Sequence, residues 1–178
     1  CDAMGLGNVY GITNSNKKIN VHLKAASGSN HWVKFYIQKN LKSLCYNLKA
    51  KGHTLYLANQ SSKSINFRKV DYTKPCTVIL GAELDGVSRE ALRLADYGII
   101  IPMYGMVNSL NVSVANALIL FEIQRQREKK GFYKKRRLRD DDYQRLLFEF
   151  SYPKIASIYR KRGQNYPNLD SEGQIITK

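Results

Sequence analysis

Cysteine is scarce in this chain of 178 residues. The three present, Cys1, Cys45 and Cys76, are odd in number and far apart, with no CxxC pair. They imply neither a zinc site nor a disulfide framework, so no metal is expected and a reducing cytoplasm is the natural setting. Long apolar runs are missing too, which argues against a transmembrane helix and a membrane-bound role. The opening stretch Cys1-Asp2-Ala3-Met4-Gly5-Leu6 lacks the basic and apolar regions of a signal peptide. It starts without Met, as a fragment or a processed product does. Acidic residues are few: 14 Asp and Glu stand against 29 Lys and Arg, for a net charge of +15. Such an excess suits a polyanion partner, nucleic acid or an acidic membrane surface, although an inert basic surface has the same composition.

Several catalytic signatures are also lacking. Gly81-Ala82-Glu83-Leu84-Asp85-Gly86 has glycines at P-loop spacing, but no Lys-Ser/Thr pair follows. Gly5 and Gly7 begin a dinucleotide fingerprint, yet Tyr10 stands where its third glycine belongs. There is no GxSxG elbow. His22, His31 and His53 are scattered and expected at the surface.

What is present is an alternation of short β-prone runs with helical patterns. Strands are expected at Val9–Thr13, Trp32–Ile37, Thr54–Ala58, Cys76–Leu80 and Gly98–Ile101. The near-continuous apolar character of Cys76–Leu80 and Gly98–Ile101 predicts strands buried on both faces. Asn40 is placed to cap a helix to about Lys51, with Leu41, Leu44, Cys45 and Leu48 on one face and Gly52 at its end. Ser88 is placed to cap a helix over Arg89–Ala95. A longer amphipathic helix is expected from Val112 to about Lys129, with Val114, Leu118, Phe121 and Ile123 turned inward. The charged stretch Lys129–Asp142 reads as a linker, and Tyr143–Phe150 and Pro153–Arg162 as short helices. The pattern predicts an α/β fold with a mainly parallel sheet flanked by helices.

In open α/β sheets, ligands bind beyond the carboxyl ends of the strands. Two polar, glycine-containing loops lie there: 81–86, and 102–111 with Ser109 and Asn111 just ahead of the long helix. Either residue also suits a helix cap, and Glu83 a solvated loop.

Beyond this, the residues resemble a known family. Ile99-Ile100-Ile101-Pro102-Met103, Gly105 and Ser109-Leu110-Asn111-Val112-Ser113-Val114-Ala115 are similar to the third motif of the SpoU/TrmH methyltransferases, SAM-dependent RNA 2′-O-ribose methyltransferases of the SPOUT superfamily. Leu80-Gly81-Ala82-Glu83 with Gly86 resembles the second motif, and Asp2-Ala3 with Gly5 the tail of the first. Ala26-Ser27-Gly28-Ser29-Asn30 with Trp32-Val33 looks like a further segment of the tRNA-acting branch. So do Phe67-Arg68, Asp71-Tyr72-Thr73, Tyr152-Pro153, Arg160-Lys161-Arg162-Gly163 and Tyr166-Pro167.

The resemblance implies a deep trefoil knot in a catalytic domain over residues 1–131 and a basic helical C-terminal extension over residues 132–178. It implies S-adenosyl-L-methionine as cofactor, contacted by Ala58, Gly81, Glu83, Ile101, Met103 and Leu110. Ser109, Asn111 and Glu83 are its catalytic candidates. In the family, the Arg that promotes ionisation of the ribose hydroxyl stands two residues ahead of where Cys1 falls. Residues 1–178 alone are then expected to turn over poorly while still binding SAM, and a longer chain to be active. The substrate implied is tRNA, at the D-loop guanosine of position 18, and the assembly a homodimer.

Asn30, Arg125, Arg127, Lys134, Lys135, Arg136, Arg137, Arg160 and Lys161 are the candidate RNA contacts, since clustered cations neutralise phosphates. Tyr133 and Tyr166 are candidates to stack on bases or to pack in a core. Alternatives are a SpoU enzyme acting on another RNA site and a non-catalytic RNA-binding protein.

Overall fold

The computed structural model describes residues 1–13, 32–82 and 85–176. They form two compact units, Cys1–Tyr133 and Lys134–Lys178. The first unit is α/β, as expected. Its strands are β1 (Asn8–Ile12), β2 (Lys34–Gln38), β3 (Thr54–Ala58), β4 (Ile65–Asn66), β5 (Cys76–Ile79) and β6 (Tyr97–Ile100). Its helices are α1 (Leu41–Ala50), α2 (Arg89–Leu94) and α3 (Val112–Lys129). β1 and β2 pair in parallel, and the other four form a parallel sheet in the order β4-β6-β3-β5. The chain lays down β3, steps out to β4, returns to β5 on the far side, and then inserts β6 between β3 and β4.

Strand alternation explains the layering, because neighbouring side chains point to opposite faces. Leu55 packs with Cys45 and Leu48 of α1, joined by Leu41, Leu44, Ile79 and Leu94. Tyr56, one residue on, packs with Ile119, Leu120 and Ile123 of α3, and with Phe67, Val70, Tyr72 and Ile99. Tyr56 stacks on Tyr97 at 5.9 Å and meets Tyr72 edge-on at 5.5 Å.

The helices start where their caps dictate. The Asn40 side chain accepts from the Ser43 N–H at 2.8 Å, and Ser88 Oγ from the Ala91 N–H at 3.1 Å. α1 ends in a Schellman arrangement: Gly52, at φ +80°, donates to the Lys49 carbonyl and His53 to that of Leu48.

Four expectations need correction. β5 is an edge strand with one neighbour, and its residues are only half-buried, so an apolar run did not mean burial on both faces. In α3, Val114, Leu118 and Phe121 are exposed, while Ile119, Leu120, Glu122 and Ile123 are buried. The helix is apolar on two sides, and the sheet takes the other one. His53 is half-buried, its Nδ1 3.2 Å from the Cys76 carbonyl oxygen and 3.0 Å from Thr77 Oγ1, tying the start of β3 to β5. Asp140–Asp142 open a helix instead of ending a linker. His22 and His31 lie outside the described residues.

The second unit holds α4 (Asp140–Ser151) and α5 (Pro153–Arg162). Three Asp in the first turn of α4 and three basic residues in the last turn of α5 complement the helix dipoles. Its centre is aromatic: Phe148 stacks on Tyr166 at 4.7 Å and meets Tyr152 and Tyr159 at 5.5 and 6.0 Å. Among the described residues no helix is long and apolar enough to cross a membrane.

Candidate active site

Three adjacent parallel strands, β6, β3 and β5, end at one edge of the sheet. Ala58 pairs with Ile99, and Leu57 with Ile79, so the chain leaves all three strands at nearly the same level. With strands about 5 Å apart, the loops 59–64, 80–88 and 101–111 begin within about 10 Å of one another. Register alone therefore gathers Ala58, Gly81 and Ile101, residues far apart in sequence.

Two of the loops are held by their own hydrogen bonds. The 80–88 loop is pinched by a reciprocal pair: Ala82 N–H to the Gly86 carbonyl at 2.8 Å and Gly86 N–H to that of Ala82 at 2.9 Å. Gly81 is obligatory here, since a Cβ on it would lie 2.5 Å from the Gly86 carbonyl carbon. The 59–64 loop is drawn back over the sheet. Asn59 N–H donates to the Ile99 carbonyl at 3.0 Å, and Ser64 Oγ to that of Asn59 at 2.9 Å. Ser64 sits over Gly98, where a Cβ would lie 2.7 Å from its Oγ. Sequence reasoning passed over Asn59, Ser64 and Gly98. The available signal was a glycine inside an apolar strand, which marks a close approach of another segment.

In the third loop, Ile101, Met103 and Leu110 are half-buried, whereas Ser109 and Asn111 are exposed on either side of Leu110. Asn111 caps α3, accepting from the Ser113 N–H at 2.8 Å. The edge thus offers small and apolar side chains with main-chain groups between them, and hydroxyl and amide groups at its rim. That donor set suits a flat heteroaromatic ring and a thioether-type chain. Glu83 and Asn30 lie outside the described residues.

The basic candidates are not equivalent. Arg125 forms a two-pronged contact with Glu122, at 2.7 and 2.8 Å, and remains largely exposed. Hydrogen bonding from Arg125 holds the Glu122 carboxyl below its usual range, against the opposing effect of burial, with Gln126 assisting. Arg127 turns inward: its Nε donates to the Tyr72 carbonyl at 3.2 Å, and its Nη2 lies 3.6 Å from Cys76 Sγ. Through these two contacts the guanidinium links α3 to the 70–76 segment. Burial raises the Cys76 thiol, with Arg127 acting in the opposite direction.

In the second unit, Lys134, Lys135, Arg137, Arg160 and Lys161 are exposed, and Arg136 pairs with Asp140 and lies 4.2 Å over the Tyr143 ring. Tyr133 is half-exposed in the first unit, whereas Tyr166 belongs to the aromatic centre of the second.

Residues 1–121 match the SpoU rRNA Methylase family, and residues 125–178 match its C-terminal segment. The chain is 40% identical over 176 residues to the tRNA (guanosine(18)-2'-O)-methyltransferase of Escherichia coli K12, covering 98% of this chain and 76% of that one. The crystal structure of the Aquifex aeolicus TrmH/SpoU tRNA modifying enzyme superposes with a TM-score of 0.81 at 41% identity, over 87% of this chain and 79% of that one. An AdoMet-bound rRNA methyltransferase from Sinorhizobium meliloti superposes at 0.62 and 25% identity, over 70% and 48%.

Proposed function

The chain belongs to the SpoU methylase family, and on that premise we propose that it transfers a methyl group from S-adenosyl-L-methionine to the ribose 2′-hydroxyl of tRNA guanosine 18. The observation that carries this is the gathering of the three loops 59–64, 80–88 and 101–111 at the ends of β3, β5 and β6. Bound there, the cofactor supplies a methyl group already activated by its sulfonium. The chain supplies shape and hydrogen bonds. Ala58, Gly81, Ile101, Met103 and Leu110, with Glu83 in the same loop by sequence, line the cofactor's place. The pinch at Ala82 and Gly86 holds the main chain beside Gly81 through bonds that need no ligand, which lowers the cost of ordering on binding. Ser109 and Asn111 flank Leu110 at the rim, where they orient the ribose hydroxyl for in-line attack. Weakly acidic, that hydroxyl reacts only when its proton is removed or its developing charge is stabilised.

The insertion of β6 between β3 and β4 suits a trefoil knot. Residues 1–131 serve as the catalytic domain and 132–178 as a basic helical extension. In this reading Lys134, Lys135, Arg136, Arg137, Arg160 and Lys161 neutralise tRNA phosphates, with Asn30 and Arg125 contributing from the first unit. The exposed apolar stripe Val114, Leu118 and Phe121 suits a homodimer interface, and the setting is the cytoplasm.

Isothermal titration of SAM, followed by mass mapping of methylated tRNA, tests this. Saturable binding, weakened about tenfold or more in Gly81→Val by the crowding of Gly86, and a ribose methyl formed slowly on guanosine 18 are expected. A folded protein that takes up no SAM overturns the proposal. A methyl on another nucleotide keeps the chemistry and reassigns the substrate.

A further inference from the structure

The second unit contains a cleft of about 580 Å³ between α4, α5 and the segment that follows α5. Its lining differs from that of the cofactor edge. Tyr166 forms a fixed wall: its ring is backed by Phe148 at 4.7 Å, and its hydroxyl donates to Glu149 Oε1 at 3.2 Å. Around it stand the exposed amides Gln164 and Asn165, two arginines, Arg145 and Arg160, and two carboxylates, Asp141 and Glu149. Arg145 pairs with Glu149 and Asp142. No ion pair among the described residues involves Arg160, although it sits on the same cleft.

These are the parts that recognise an unpaired nucleotide. An aromatic wall takes the face or edge of a base. Primary amides donate and accept together, so they read the edges of bases that are not paired. A guanidinium without a carboxylate partner takes the phosphate. The volume admits one nucleotide, and a duplex does not fit a cleft of this size. A purely structural cleft does not call for an arginine with no ion pair among the described residues beside two exposed amides.

We infer that this cleft binds a single unpaired nucleotide of the RNA substrate, with its phosphate on Arg160 and its base between Tyr166 and the Gln164 and Asn165 amides. The inference rests on the RNA-modifying role proposed above. It adds that the second unit reads unpaired RNA as a shape and does not act only as a diffuse positive surface.

The test uses the full chain with three ligands: a fluorescent unpaired oligoribonucleotide, a blunt RNA duplex of equal charge, and SAM. Arg160→Ala and Gln164→Ala are each compared with the parent protein after circular dichroism has shown both to be folded. Weakening of the unpaired oligonucleotide by about tenfold in each variant is expected, with a much smaller loss for the duplex and SAM affinity unchanged. For Arg160→Ala the logarithmic salt slope should fall by about 0.7, the value for one single-strand phosphate. A photocrosslink from 4-thiouridine RNA should map to residues 164–168. Equal weakening of duplex and unpaired RNA, or unchanged affinity for both, overturns the cleft while SAM binding leaves the methyltransferase reading standing. Loss of SAM binding and of all RNA binding in the parent protein overturns both.

Discussion

The two halves of α3 hold very different segments. Against its C-terminal half, residues 70–76 are clamped: Gln126 accepts from the Tyr72 N–H and donates to the Val70 carbonyl, both at 2.9 Å, while Arg127 holds the Tyr72 carbonyl. Tyr72 is fully buried there. Ahead of its N-terminal half, the 101–111 loop leaves Tyr104 and Met106 98% exposed, and this half turns Val114 and Leu118 to the outside, with Phe121 continuing the stripe. Both regions are rich in large apolar side chains. The difference is that side-chain amide and guanidinium groups satisfy the main chain of one segment, so that burial costs it little, whereas the other stays exposed. One helix thus packs Ile119, Leu120 and Ile123 into the core and clamps 70–76 from its last turns, while Val114, Leu118 and Phe121 stay on the outer face.

Breaking the clamp should have the largest effect. Gln126→Leu keeps most of the volume but leaves the buried Tyr72 N–H and Val70 carbonyl without their partner. It also removes a donor to Glu122 at 2.8 Å. A loss of about 3 kcal/mol is expected in urea unfolding, from two orphaned backbone groups. A loss below about 1 kcal/mol would mean that the two halves do not differ in the way described.

Part of this contrast was legible in the sequence. The bounds of β3, α3 and α5 could be read from β-prone clusters, caps and Pro153. So could Asn40 and Ser88 as caps, because a capping side chain acts on its own next few residues. The orientation of α3 could not be read this way. Ile119, Leu120 and Ile123 are as apolar as Val114, Leu118 and Phe121, and only the position of the sheet decides between the two faces. β4 has two residues, too few for any pattern, and the insertion of β6 beside it is a property of the whole chain. At the candidate site, motif resemblance singled out Gly81, Ser109, Leu110 and Asn111. It did not reveal that Gly98 makes room for Ser64, or that Gln126 reaches across 54 residues to Tyr72.

A medium effect should appear on acidification. The Glu122 carboxyl is held below its ordinary value of 4.5, first by hydrogen bonding from Arg125 and then, against burial, by Gln126. A folded pKa below the unfolded one contributes stability that is complete above pH 4.5 and is lost as pH falls through the lowered folded value. Glu122→Gln removes the titrating group, so its unfolding free energy should depend less on pH in that acid window. At neutral pH it should be lower by about 1 kcal/mol, the difference between a charge-assisted and a neutral hydrogen bond. Parallel acid-unfolding curves for the two proteins would show that Glu122 does not sense the folded environment.

The smallest effect on folding is expected at Phe121, on the opposite side of the same helix turn as Ile123. It is 58% exposed, so Phe121→Ser removes little contact within the chain, and surface substitutions of this kind stay within about 0.5 kcal/mol. Its consequence should appear instead in association. An exposed stripe of Val114, Leu118 and Phe121 loses apolar area to water unless a second surface covers it, and replacing the largest member should weaken self-association in sedimentation velocity. The concentration dependence of unfolding separates these possibilities, because stability drawn from assembly falls on dilution and stability drawn from the chain's own core does not. A penalty of about 2 kcal/mol at every concentration would place Phe121 inside the fold of its own chain, and the outward face of α3 would then contribute to folding as strongly as the inward one.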